Sequence, residues 1–230
     1  MRAGIVVVGS LLLGTALGAQ GGTDIWVGEL RGGGSALSLG ELRNVTQRPG
    51  YDNQPQFTPD GRALLYTRIG DDGRSDAWRV LTSGRTNVQV TRTVRRQEYS
   101  PTPMPDGRGF SAIVVEVDST QRLWAYDWNG VPQRVIVLGV KPDGYRVGVG
   151  GATIGAFVLS QPTPRDPNAL VLMNPQTERV DTLARGIGRA FARVPGREAF
   201  TFVHVHVDTA VLGEVDVRTR AVRRVVVLPR

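Results

Sequence analysis

The sequence predicts an all-β fold built from a repeated four-stranded unit. Three observations predict it. Apolar runs are short, rich in β-branched and aromatic residues, and bounded by turn residues. Two similar stretches, Pro55-Gln56-Phe57-Thr58-Pro59-Asp60-Gly61-Arg62 and Pro101-Thr102-Pro103-Met104-Pro105-Asp106-Gly107-Arg108, place their glycines 46 residues apart. Beyond the first twenty residues no apolar pattern of helical period reaches helical length.

The first segment stands apart. Met1-Arg2 gives a positive start, an apolar stretch runs from Ile5 to Leu17, and small residues follow at Gly18-Ala19. This is the layout of a secretory signal peptide, expected to occupy residues 1–19 and to be removed. No later run reaches membrane-spanning length. The mature chain is therefore expected to be periplasmic or extracellular, with no transmembrane segment.

The unit is defined by two elements out of phase. The first is the Pro-Asp-Gly turn, followed by Ala63-Leu64-Leu65-Tyr66 in one copy and Gly109-Phe110-Ser111-Ala112-Ile113 in the next. A weaker echo, Val194-Pro195-Gly196-Arg197, comes 89 residues after Gly107, two periods on. The intervening copy is reduced to Gly150-Gly151 before Ile154 to Leu159. A displaced Asp143-Gly144 pair lies 37 residues after Gly107; it either shortens its unit or joins two units. The second element is a strand, a polar turn and another strand. Its first strands centre on Trp26, Trp78, Trp124, Val171 and Val215. Four strands in about 45 residues is the arithmetic of a β-propeller blade, whose sheet buries both faces only against neighbouring blades. Five blade positions are recognisable: a partial one at about 24–46, then about 51–98, 99–139, 140–183 and 184–228, all within a propeller domain of residues 20–230. The first supplies two strands only. The ring is expected to be incomplete, or truncated from a six-bladed one.

Within the turns, Pro59 and Pro105 fix one dihedral, Gly61 and Gly107 accept positive φ, and Asp60 and Asp106 accept turn amides. These six residues are read as structural. Trp26, Trp78 and Trp124 recur at blade spacing and are read as inter-blade packing. Trp128, beside Asp127 and the Asn129-Gly130 turn, breaks the repeat, so Trp128 and Asp127 are the candidate exposed binding contacts.

The stretch Pro55 to Tyr66 resembles the WD40-like propeller repeat of the TolB family. Asp71 to Trp78 continues it as a polar turn and a strand, and Val90-Thr91 and Val45-Thr46 resemble its unit ending. The resemblance covers residues 24–137 well and 144–228 weakly. It implies a propeller, export and protein–protein interaction, and no shared catalytic set. Similar repeats occur in propellers attached to serine peptidases; no Gly-x-Ser-x-Gly motif is present here.

Composition narrows the chemistry. The 230 residues include no cysteine, which excludes disulfides, thiolate nucleophiles and cysteine-held metals, and only two histidines, which excludes a three-histidine site. The net charge of +7 comes from arginines spread along the chain. Without aromatic–basic interleaving this points to no nucleic acid partner. The partner is expected to be an envelope protein or a cell-surface polymer, with no cofactor. The enzymatic alternative is a hydrolase or lyase with a polar or metal site in the central channel. For that reading His204, His206 and Asp208 are the candidate ligands, because i, i+2 and i+4 share one face of a strand.

Overall fold

The computed structural model describes residues 4–5, 22–31, 38–84, 86–137, 143–148, 154–158, 168–174, 176–177, 179–194, 196–205 and 209–228. Every regular element among them is a strand. No described helix is long and apolar enough to cross a membrane.

The first sheet contains β1 (Gly4–Ile5), β2 (Trp26–Arg31) and β3 (Ser38–Asn44). The second runs β4 (Asp52–Phe57), β5 (Ala63–Ile69), β6 (Ser75–Leu81), β7 (Asn87–Gln89). The third runs β8 (Gln97–Pro103), β9 (Gly109–Val115), β10 (Gln121–Asp127), β11 (Pro132–Val137). The fourth holds β12 (Asp143–Gly148), β13 (Ile154–Val158), β14 (Ala169–Asn174) and β15 (Arg179–Arg185). The fifth holds β16 (Ile187–Arg193), β17 (Ala199–Val205), β18 (Ala210–Asp216) and β19 (Val222–Leu228). Each is an antiparallel meander. The opening strands β4, β8, β12 and β16 touch in series, so successive sheets radiate from one side. This is a β-propeller arrangement of four full blades and a partial first one.

The packing explains the composition of the central strands. In β5, Leu64 and Tyr66 join Ile25, Val27 and Val45 of the first sheet. Leu65, between them in sequence, joins Phe110, Ala112, Val114 and Tyr126 of the third. In β14, Leu170 and Leu172 meet Phe200 and Phe202 of the fifth sheet, while Ala169, Val171 and Met173 meet Leu123 of the third. A strand buried on both faces reads as a continuous apolar run, not as an alternation. Each buried valine, leucine, isoleucine, phenylalanine or methionine among them contributes about 1.5–3 kcal/mol of burial.

Three first turns share one geometry. Gly61, Gly107 and Gly196 have φ of 68°, 71° and 72°, and their N–H groups donate to Thr58 and Met104 carbonyls in the first two. Asp60 accepts the Thr58 hydroxyl at 2.6 Å and the Arg62 N–H at 3.1 Å; Asp106 accepts the Arg108 N–H at 3.0 Å. Asp143 and Gly144 form no such turn, for they open β12. Gly150-Gly151 lies outside the described residues.

The tryptophans divide. Trp78 and Trp124 are half-buried against the sheet that precedes their own. Trp26 is 38% exposed, contrary to its expected packing role. The reason is parity: Ile25 and Val27 face the second sheet, so Trp26 faces the opposite way. Of residues 1–19, only Gly4 and Ile5 are described. They pair with Glu29 and Gly28 on β2.

Candidate functional site

The most concentrated ionisable chemistry lies at the seams where one blade ends and the next begins. The first two units close on Val-Thr, at Val45-Thr46 and Val90-Thr91. Thr46 Oγ1 accepts the Ile25 N–H at 3.0 Å and donates to Asp24 at 2.9 Å. Thr91 Oγ1 accepts the Ala77 N–H at 2.8 Å and lies 3.3 Å from Asp76 Oδ1 and 3.4 Å from Glu98 Oε2. One hydroxyl hydrogen serves both carboxyls. The threonine thus ties the third strand of its blade to the connection that leads onward.

A buried acid follows each seam, and the two copies are balanced differently. Asp52 and Glu98 are 1% and 0% exposed and stand 46 residues apart. Asp52 is held by Arg68 at 2.8 Å and Arg48 at 3.3 Å. Burial pushes its carboxyl up, while the hydrogen bond and charge of Arg68 pull it down. The Arg68 guanidinium also lies 4.2 Å from the Trp78 ring centre, a cation–π contact.

In the next unit both arginines are replaced. Asp52 pairs across the sheet with Arg68, whereas Glu98 pairs with Val114. Counted from the seam threonine, Thr93 stands at the position of Arg48: the Arg48 N–H donates to Asp24 and the Thr93 N–H to Asp76. Glu98 instead accepts the Thr93 hydroxyl at 2.7 Å and the Tyr126 hydroxyl at 3.3 Å. Burial pushes the Glu98 carboxyl from 4.5 up to about 7, and the neighbouring Asp76 carboxylate adds to the rise. Burial also raises the Tyr126 phenol. A neutral carboxylic acid beside a carboxylate is an acid–base arrangement in principle. Here it is sealed, since Glu98 is fully buried and stacked Phe110 and Tyr126 rings, 5.2 Å apart, close one side.

The residues singled out in the sequence lie apart from this seam. Trp128 is half-buried, with its Nε1 donating to the Gly107 carbonyl at 2.9 Å and its ring 6.4 Å from Phe110. Asp127 accepts the N–H groups of Asn129 and Val131, each at 2.9 Å. Together they join the two turns at one end of the third blade. His204 lies on β17, paired with Val211 and Ile187, its ring 6.4 Å from Phe202. His206 and Asp208 lie outside the described residues. Among the described residues no three histidine or acidic side chains group as metal ligands.

No protein-family model and no curated protein matches the chain. Solved structures do. A putative TolB from Agrobacterium tumefaciens superposes with a TM-score of 0.62 at 14% identity, over 90% of this chain and 75% of that one. TolB from Acinetobacter baumannii gives 0.58 at 15%, over 86% and 50%. The chain folds as a TolB-like β-propeller. An oligogalacturonate lyase in complex with manganese also matches, with a TM-score of 0.53 at 15% identity over 91% of this chain and 60% of the lyase. The TolB-like propeller described here thus spans half the length of the Acinetobacter protein.

Sequence reading missed the Glu98 seam of this TolB-like propeller. The signal was present. Aligning the two units at their glycines sets Glu98 against Asp52 and Val114 against Arg68, an acid whose cation is missing.

Proposed function

We infer that the chain is an exported TolB-like propeller acting as a non-catalytic interaction module for a cell-envelope protein or polymer. The observation that carries this reading is the employment of its carboxylates. Asp24, Asp52, Asp60, Asp76, Asp106, Asp127 and Glu98 all hold turns, seams or arginines within the fold. The leader-like residues 1–19 and the likeness to TolB support export and envelope binding.

The test is capture from an envelope fraction by the purified mature protein, with the retained component identified and its binding remeasured in pure form. A single saturable partner supports the module. Turnover of a supplied ester, peptide or uronate polymer, with no retained partner, overturns it. N-terminal sequencing of the protein recovered from cells tests cleavage near Ala19.

The alternative is a hydrolase or lyase with a polar or metal site in the channel. The alternation His204-Val205-His206-Val207-Asp208 and the manganese-bound lyase among the structural neighbours favour it. Metal analysis after incubation with manganese, with His204→Ala as control, distinguishes it: stoichiometric metal lost in the variant supports that reading.

A further inference from the structure

Among the described residues each blade ends on an outer strand with one unpaired edge, and such edges are protected against stray pairing in four of the five sheets. β3 carries the exposed charges Glu41 and Arg43. β7 is three residues long. β11 opens on Pro132 and shifts register twice against β10. β15 bears Arg179, Asp181 and Arg185, with Asp181 tied to Arg179 and to Arg220.

β19 differs. It is seven residues long, contains no proline and shifts register once. Val222, Val225, Val226 and Val227 are 44%, 44%, 49% and 42% exposed. Of its two arginines, Arg223 is turned back onto Glu214 of β18, at 3.0 and 2.8 Å. Arg224 makes no ion pair among the described residues. The sheet that carries this edge, residues 187–228, holds seven arginines against four acidic residues.

From this we propose that β19 is a docking edge that takes an extended acidic–apolar segment of a partner protein as a fifth strand. Backbone pairing supplies affinity, the exposed valines receive alternate apolar side chains, and Arg224 meets a carboxylate. A second copy of this chain is disfavoured as occupant because it brings the same excess of positive charge. The proposal rests on the interaction-module reading and specifies its surface.

The test uses a short labelled peptide of alternating valine and glutamate, with a valine–lysine peptide as control. The full mature protein is expected to bind the acidic peptide at least about tenfold more tightly, and less tightly as salt rises. Amide exchange is expected to slow in β19. Val227→Pro, at the residue opposite Val211, removes one outward-facing backbone donor and is expected to abolish binding. Val227→Lys keeps the donor and the fold while weakening binding. Arg224→Glu is expected to transfer the preference to the basic peptide. Equal binding of both peptides, exchange protection away from β19, or self-association through β19 without peptide binding overturns the proposal. If Val227→Pro loses the peptide yet still captures the envelope partner, the edge proposal falls and the module reading stands. If the peptide binds but no envelope partner is retained, the reverse holds.

Discussion

The side-chain oxygen of Gln54 accepts the backbone N–H of Ser100 at 2.8 Å, joining equivalent positions of adjacent blades 46 residues apart. Both residues sit at bulges in the opening strands with positive φ, 58° and 50°. The Thr67 hydroxyl completes the knot, donating to Gln54 at 2.6 Å and accepting Ser100 N–H at 3.0 Å. Gln54→Leu is expected to cost about 1–2 kcal/mol, because Thr67 loses its acceptor while Ser100 keeps one partner. Urea unfolding of Gln54→Leu, Thr67→Val and the double variant checks this; coupling of at least about 0.5 kcal/mol is expected.

Glu98 makes stability depend on pH. Folding raises its carboxyl from 4.5 to about 7. The folded state therefore binds more protons than the unfolded state between those values. Its contribution is whole below pH 4.5 and is lost as pH rises through about 7. The groups facing it are Asp76 from β6, Thr91 and Thr93 from the connection, and Tyr126 from β10, whose phenol also feels the charge of Arg96. The loss is on the order of 3 kcal/mol by pH 8. Glu98→Gln is expected to flatten the curve and to exceed the wild type at pH 8. Denaturation midpoints across pH 4 to 8 read it directly; parallel curves for the two proteins would refute it.

Two turn glycines separate backbone strain from crowding. At Gly61, with φ 68°, an added Cβ meets nothing within 4 Å. Gly61→Ala is expected to cost about 1 kcal/mol from strain alone. At Gly130, with φ 80°, the same atom falls 2.0 Å from the Val90 carbonyl oxygen of the preceding blade. Gly130→Ala is expected to cost about 3 kcal/mol or more, since the blades must part. Melting temperatures of the two variants check the ranking.

Trp128 holds two turns through one hydrogen bond and one ring contact. Trp128→Phe keeps most of the ring and loses the bond to Gly107, an expected loss of about 1 kcal/mol. Trp128→Ala loses both, about 2–3 kcal/mol. Chemical denaturation of the pair apportions the two effects.

Ser75 is fully buried, and its Oγ has no hydrogen-bond partner among the described residues. Ser75→Ala removes an unmet hydroxyl and is expected to leave stability unchanged or raise it by up to about 1 kcal/mol. A loss above that size would show an unrecognised partner.

Architecture was legible because the repeat writes it twice: once in the Pro-Asp-Gly turns before β5 and β9, again in the strands around Trp78 and Trp124. Asp143-Gly144 misled for a local reason, since that dipeptide marks a turn only when strand pairing does not claim it. Trp26 shows a related limit. Spacing gives its place in the unit, but burial depends on which neighbour lies across that face. The Glu98 seam was harder to see. Glu98 and Asp76 sit on different sheets, and nothing in local sequence gives the depth at which they meet. The counterpart of Glu98, Asp52, differs in having Arg48 and Arg68 at hand.

Leu64 and Leu65 are adjacent in the chain yet belong to different interfaces, one looking back and the other forward. Deleting a single residue ahead of them would swap their clients at once, sending each side chain to the wrong neighbour. Alignment errors in this strand would therefore not stay local. They would propagate around the arc as mismatched contacts on both flanks, which ties natural length variation to the turns.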